Sequence, residues 1–500
     1  MANNEFGDFQ TPNQLATACV NLMDIPSDAI AFEPTCGRGS FLKAISLASP
    51  ESERFGLEIN HEYVAEAQQY GIVTEGDFFE FDFSKLNFSD KKPLYIIGNP
   101  PWVTSADLKK MNSGNIPDKK NFKNAKGFDA LLGSSNFDVC EYIILKLLGT
   151  YANRWFKLGM LCKTQVARNI IEFAAKNNLP ITSSAIYRIN AMQWFNAAVD
   201  ACWFTLTNDP NGQPSYITEV HESTEEDSKV TNRFGILKNR LISNIDDYLR
   251  YSTGDDESPY EWRSGIKHDA SKIFELKSVD GKAVSSFGDV FDPDGQYILP
   301  LLKSTDVFRG KPSTRYVIVP QHTFGGSDKP LKNENPELWE YLDRHADIID
   351  NRKSSIYRGK ARFTVFGHGD YTYAPYKLAT SGLHKDLEFR IVKPINGTPV
   401  VLDDTCYFIP FYNPTEVCLV KALLDSPSCS GLIRSLVFWD SKRPISKKLL
   451  SRINMFKVPN DPDEVLSVAE NNAAQLDLDF DIDFARSLLT NGTTQSTLFD

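Results

Sequence analysis

Ile96-Ile97-Gly98-Asn99-Pro100-Pro101-Trp102 is the stretch on which the reading of this chain turns. The apolar run Leu94 to Ile97 predicts a short buried strand, and a glycine and two prolines end it. Open α/β sheets place their ligand sites just past the carboxyl ends of such strands. The Asn99 side-chain oxygen and the Pro100 carbonyl can each accept a hydrogen bond from an exocyclic amine. Proline fixes the local backbone, so these acceptors are held in place. Trp102 offers a face for stacking a planar base. A proline-terminated strand with a core tryptophan is the plainer reading, and these residues alone do not decide between the two.

Upstream lies Phe32-Glu33-Pro34-Thr35-Cys36-Gly37-Arg38-Gly39. Ala29 to Phe32 reads as a first strand and Ser40 to Leu47 as a helix. Between them, Gly37 and Gly39 allow a tight turn and close approach of a ligand to the backbone. Arg54 to Ile59 reads as a second strand, and Glu58 near its end stands 21 residues after Gly37, the span of one βαβ unit. An acid there can accept both hydroxyls of a ribose, although a surface acid at a strand end would look the same. After the next short strand comes Gly76-Asp77-Phe78-Phe79. Asp77 can accept from an adenine amine and Phe78 can pack on the ring, the alternative being a turn Asp beside core phenylalanines.

Asn99-Pro100-Pro101-Trp102 resembles the catalytic motif of class I methyltransferases that act on amino nitrogens, above all N6-adenine DNA methyltransferases. Glu33 to Gly39 resembles their S-adenosylmethionine loop. The order of loop, catalytic motif and long C-terminal region resembles the gamma class found in many restriction-modification systems. The resemblance implies cofactor contacts from Thr11, Glu33, Thr35, Cys36, Gly37, Glu58, Asp77, Phe78 and Pro101. It implies catalysis by Asn99, Pro100 and Trp102. In the family an aromatic before the late hairpin stacks on the extruded base. Phe195 fits that position in Trp194-Phe195, with Trp194 as its rival and core packing as the alternative for both. The absence of a third, pyrophosphate-type glycine favours adenosylmethionine over a dinucleotide.

The net charge of −11 is unevenly distributed. Residues 1–100 hold 15 acids and 6 bases, whereas residues 101–200 hold 7 acids and 13 bases. Residues 352–452 hold 8 acids and 16 bases, and residues 458–500 hold 9 acids and 1 base. Two basic segments in an acidic chain are compatible with a phosphate-binding face or with unrelated solvated faces. No apolar run is long enough to span a bilayer, and Met1 to Asp8 lacks a signal-peptide core. The eight cysteines form no Cys-x-x-Cys pair and the seven histidines no ligand-spaced cluster, so a cytoplasmic protein with reduced thiols and no metal is expected.

The remaining chain supplies the domain plan. Thr11 reads as an N-cap with Pro12 in the first turn of a helix over Gln14 to Met23. Thr104 to Gly133 reads as a mobile loop beside the catalytic motif, Phe137 to Leu148 as a helix, and 157–162 and 181–189 as strands. The breaker cluster Asn208 to Pro214 predicts the end of the first domain. The expected fold is α/β: a Rossmann-like, seven-stranded class I methyltransferase domain over 1–215, followed by an α+β target-recognition domain. A linker is expected over 216–260, recognition over 261–490 and a flexible tail over 491–500. Arg352 to Lys393 interleaves bases with Tyr, Phe, Gly and Ser, a composition suited to phosphate contacts and stacking. Residues 475–484 alternate acid and apolar groups, as an edge strand or an acidic tail would. Asp269 and Glu275-Leu276-Lys277 have the residue types of a nuclease site, but at short spacing and with no predicted strand pair.

The expected reaction is methyl transfer from S-adenosylmethionine to N6 of a flipped-out adenine in double-stranded DNA, beside a cognate restriction endonuclease. The alternatives are cytosine-N4, RNA or protein-glutamine methylation, or a non-catalytic DNA-binding module. At the chain end, Gln495, Leu498 and Phe499 resemble the short peptide with which bacterial replication and repair proteins bind the sliding clamp.

Overall fold

The computed structural model describes residues 9–104, 138–321 and 326–491. The expected loop over 104–133 and the Gln495, Leu498 and Phe499 tail therefore lie almost wholly outside the described residues. The chain divides into two compact units, Met1–Asp246 and Asp247–Asp500.

The first unit is built on one ten-stranded sheet. Its strands are β1 (Ile30–Glu33), β2 (Glu53–Glu58), β3 (Ile72–Glu75), β4 (Leu94–Gly98), β5 (Phe156–Lys163), β6 (Ile181–Ile189), β7 (Ala201–Asn208), β8 (Ile217–His221), β9 (Val230–Leu237) and β10 (Arg240–Ile242). The order is β10-β9-β8-β6-β7-β5-β4-β1-β2-β3. Strands β3, β2, β1, β4 and β5 run parallel, and β7 lies antiparallel between β5 and β6. This is the doubly wound class I methyltransferase arrangement with an inserted antiparallel strand. β1 and β4 are fully buried, as parallel strands covered by helices on both faces must be.

The expected boundary near 215 falls about thirty residues too early, because β8–β10 add to the same sheet. β8 pairs parallel with β6 and carries β9 and β10 with it. Residues 216–246 are thus sheet edge rather than linker. The breaker cluster over 208–214 marks a turn within the unit, not its end.

Thr11 is not an N-cap. Helix α1 (Asn13–Asn21) has Pro12 at that position and no side-chain cap. The Thr11 hydroxyl is engaged elsewhere, as described below.

The second unit is α+β. One sheet orders Arg263–Ser264, Cys406–Phe411, Tyr376–Ser381 and Phe389–Val392, all antiparallel. Another orders Val290–Phe291, Lys282–Val284, Glu275–Val279, Arg315–Ile318, Ile298–Leu302 and Val401–Leu402, with only the last pair parallel. The alternating segment over 475–484 forms neither strand nor tail. Helix Pro462–Leu476 ends at a left-handed Asp477, and a new helix runs from Ile482 to Asn491. Ala485 and Leu488, three apart, bury one face of that helix. Helical packing overrides the period-two pattern there.

Much of the basic character of Arg352 to Lys393 serves this unit internally. Arg352 donates to the carbonyls of Ile349, His268, Thr364 and Arg362, and it stacks 3.8 Å over Tyr357. Arg362 pairs with Asp350, and Arg390 with Glu388. Lys377 is 1% exposed in the central strand Tyr376–Ser381, and its ammonium donates to the Ala374 carbonyl at 2.8 Å. Burial pushes its pKa down to about 7. The unfolded chain therefore binds more protons than the folded one between about pH 7 and the ordinary lysine range, and stability rises with pH there. Urea unfolding at pH 7 and pH 9 should show the wild type gaining stability at the higher pH. Lys377→Met should be more stable than wild type at pH 7 and lose most of that gain.

Candidate functional site

β1 and β4 lie side by side, with Ile30 paired to Leu94 and Phe32 to Ile96. The two motifs therefore leave adjacent strands at the same end of the sheet, where the strand order reverses and such sheets bind ligands.

After β1 the loop turns sharply. Gly37 (φ +50°) and Gly39 (φ +81°) adopt left-handed backbone, which residues with a Cβ resist. Gly39 N–H donates to the Cys36 carbonyl at 2.8 Å and Cys36 N–H to the Leu57 carbonyl at 3.0 Å, tying the turn to β2. Helix α2 (Ser40–Ala48) then starts at Gly39. Glu58 holds the loop from the end of β2. Its Oε2 accepts from Gly37 N–H at 2.8 Å and its Oε1 from Asn60 N–H at 2.9 Å.

Glu33 is 2% exposed, and its Oε2 accepts from Leu42 N–H at 3.2 Å. Burial pushes its carboxyl well above the usual range; the Leu42 hydrogen bond opposes this and the charge of Glu58 adds to it. Cys36 is buried and its thiol is likewise pushed up, chiefly by burial. The Thr35 hydroxyl oxygen is buried with no hydrogen-bond partner among the described residues.

At β3's end Asp77 is half-buried, and its Oδ1 accepts from Phe79 N–H at 2.8 Å. Burial raises its pKa; the Phe79 hydrogen bond opposes the shift. Phe78 is 5% exposed and packs edge-on against Phe79 and Phe83.

The segment after β4 is organised by Asn99. Its Nδ2 donates to the Phe9 carbonyl at 2.9 Å and to the Thr11 hydroxyl at 3.1 Å. Its Oδ1 is buried and has no hydrogen-bond partner among the described residues. Pro100 is buried and Pro101 half-buried. Trp102 is 6% exposed, and its Nε1 donates to the Leu161 carbonyl at 3.1 Å.

Trp102 and Phe195, each expected to stack on a base, are in contact with one another. Phe195 ends the short helix Ala191–Phe195 and is 8% exposed. Its ring meets Trp102 edge to face, with centroids 5.1 Å apart and planes at 69°. Phe9 closes the cluster at 5.9 Å from each ring. All three pack on the core that contains Phe41, Leu161 and Trp203, so a base can stack between Trp102 and Phe195 only after they separate. Trp194 packs on the same core, partly buried.

Sequence reasoning missed Phe9 and Gln10. The Gln10 side chain lies over Gly37, and its Oε1 accepts from Arg38 N–H at 3.3 Å. It also missed Lys146, which donates to the carbonyls of Phe78 and Phe79 at 2.8 Å each. These contacts span 27 to 186 positions, and no local pattern announces them. The nuclease candidate is occupied by other contacts. Glu275 does lie on a paired strand, but Lys303 bonds both its oxygens (2.7 and 2.6 Å) and His268 approaches at 3.3 Å.

The chain is 35% identical over 465 residues to the type II methyltransferase M.NspV of a Nostoc species, spanning 90% of this chain and 96% of that protein. The chain belongs to the type II methyltransferase family. No protein-family model matches it. Solved structures similar to it include the type IIL restriction-modification enzyme MmeI in complex with DNA, at 12% identity, with 97% of this chain and 75% of that chain covered and a TM-score of 0.47. A modification subunit of a putative type I restriction enzyme from Vibrio vulnificus gives 15% identity, 57% and 58% coverage and a TM-score of 0.29. A place in the type II methyltransferase family accords with the two motifs meeting at adjacent strand ends.

Gly37 supplies the prediction. An alanine there would adopt an unfavourable left-handed conformation, and its Cβ would stand 3.0 Å from the Gln10 amide. Gly37→Ala should destabilise the first unit by about 1–2 kcal/mol, read as a lowered urea midpoint. An unchanged midpoint would mean the loop relaxes to another conformation.

Proposed function

We propose that this methyltransferase transfers the methyl of S-adenosylmethionine to the N6 amino group of an adenine in a specific double-stranded DNA sequence, within a restriction-modification system. The observation that carries the reading is the Asn99 amide. Both Nδ2 hydrogens have acceptors, so the unpartnered Oδ1 is left to receive an N–H from an exocyclic amine.

S-adenosylmethionine, when bound, supplies a methyl group on a cationic sulfonium. The residues after β1, β2 and β3 fit it. The Thr35 oxygen has no partner among the described residues, Glu58 at the end of β2 would accept from the ribose hydroxyls, and Asp77 and Phe78 after β3 would meet the adenine. Glu33 and Glu58 give the pocket an acidic character suited to a cation, which would offset the cost of burying Glu33.

Asn99 Oδ1 and the Pro100 carbonyl orient the target amine so that its lone pair faces the methyl. They stabilise positive charge developing on nitrogen by positioning and electrostatics. Phe195 and Trp102, parted from their resting contact, stack on the base. The base leaves the duplex to reach them. Residues 247–491 carry target recognition, with phosphate contacts from exposed bases such as Lys353, Arg358 and Lys448. Cytosine N4, another planar exocyclic amine, is the second reading that the Asn99 geometry favours.

A cognate restriction endonuclease is the proposed partner in the cell. The sliding clamp is proposed as a further partner through Gln495, Leu498 and Phe499. Surface plasmon resonance should show full-length chain binding the clamp and a Leu498→Ala, Phe499→Ala variant not binding; equal binding by the two removes the clamp.

Asn99→Ala should slow single-turnover transfer by about a hundredfold to a thousandfold, the effect of losing one preorganised transition-state hydrogen bond. Affinity for S-adenosylhomocysteine should stay near wild type. A rate within tenfold of wild type rejects the role of Asn99.

A further inference from the structure

Helix α3 (Val139–Thr150) begins directly after Asp138, whose side chain caps it by accepting from Cys140 N–H at 3.0 Å. Lys163 on β5 pairs with the same carboxylate at 2.8 Å, and Thr104 bridges Asp138, so the helix start is anchored beside the catalytic strand ends. Two turns on, Lys146 reaches across to the turn after β3. Its Nζ donates to the Phe78 and Phe79 carbonyls at 2.8 Å each. It lies 5.0 Å over the Phe78 ring and 5.1 Å over the Phe83 ring. On the other side of the same turn, Asp77 accepts from Phe79 N–H. The Asp77-Phe78-Phe79 backbone is thus held from both sides, by a carboxylate within it and an ammonium outside it.

Lys146 is half-buried, and a lysine used there only for packing would be a costly choice. Burial disfavours the ammonium and lowers its pKa to about 8; Asp77 partly opposes this. A leucine or methionine would cover the two rings without that cost. What the lysine adds is direction. Two carbonyls sharing one ammonium must turn toward it, and this fixes the backbone that carries the Phe78 ring and the Asp77 carboxylate.

We propose that Lys146 is a positioning residue for the adenine end of the cofactor pocket. It acts through the Phe78 and Phe79 carbonyls and does not touch the cofactor. The inference rests on the reading of this pocket as the S-adenosylmethionine site. Its mark is on discrimination as well as affinity, because Asp77 is the group that would accept from the adenine amine. Loosening the turn blurs that contact before it empties the pocket.

The test is calorimetry on the full chain with S-adenosylhomocysteine and with S-inosylhomocysteine, which lacks the amine. Lys146→Met and Lys146→Gln should bind S-adenosylhomocysteine at least tenfold more weakly and lose most of the wild-type preference for it over the inosyl compound. Lys146→Arg, which keeps two donors, should recover both. Single-turnover transfer at saturating cofactor should stay within threefold of wild type. Wild-type affinity and preference in the neutral variants would overturn the inference while leaving the cofactor reading intact. An equal loss for both compounds, or failure of both neutral variants to fold, would make Lys146 structural and also overturn it. No binding of S-adenosylhomocysteine by wild type would instead reject the cofactor reading itself.

Discussion

The site depends on one amide held from behind. Phe9 offers a carbonyl, which can only accept, so the Asn99 atom 2.9 Å from it must be nitrogen. That contact, with the Thr11 hydroxyl beyond it, sets which way the side chain faces. The cost is a buried oxygen with nothing to bind. An unmet buried acceptor costs about 1–3 kcal/mol, so such atoms are uncommon unless something is meant to arrive. The strand, the prolines and the N-terminal segment together keep that acceptor from turning inward to satisfy itself.

A second constraint is electrostatic. Glu33, Glu58 and Asp77 stand at the ends of three neighbouring parallel strands, and burial works against the charge of Glu33 and Asp77. Backbone N–H groups meet part of the need, with Leu42 serving Glu33, Gly37 serving Glu58 and Phe79 serving Asp77. These bonds form the loops as much as they serve the acids. The turns after the strands and the acids beside them are therefore held by the same hydrogen bonds.

How much of this was legible follows from the range of the interactions involved. The β1 loop, the β4 motif and the acid at the end of β2 are local patterns, and the structure brings them to adjacent strand ends. The Thr11 cap failed because Pro12 already occupies the capping position and the hydroxyl is drawn to Asn99, 88 positions away. Part of the linker expected over 216–260 is sheet: short edge strands next to an acidic run carry little periodicity, and pairing of β8 with β6 brings β9 and β10 into the sheet. The edge-to-face contact of Trp102 and Phe195 is not legible in the sequence, since the two rings lie 93 positions apart and Phe9 completes their cluster from the start of the unit. Lys146 could not be found from its own helix, where it is one base among apolar residues.

The central claim, that Asn99 presents its oxygen to an exocyclic amine, is tested most directly by where the methyl goes. DNA incubated with the chain and isotopically methyl-labelled S-adenosylmethionine can be digested to nucleosides and resolved by mass spectrometry. The account predicts the label on an exocyclic amino nitrogen, as N6-methyladenine. Label on a ring carbon, as in 5-methylcytosine, would contradict it.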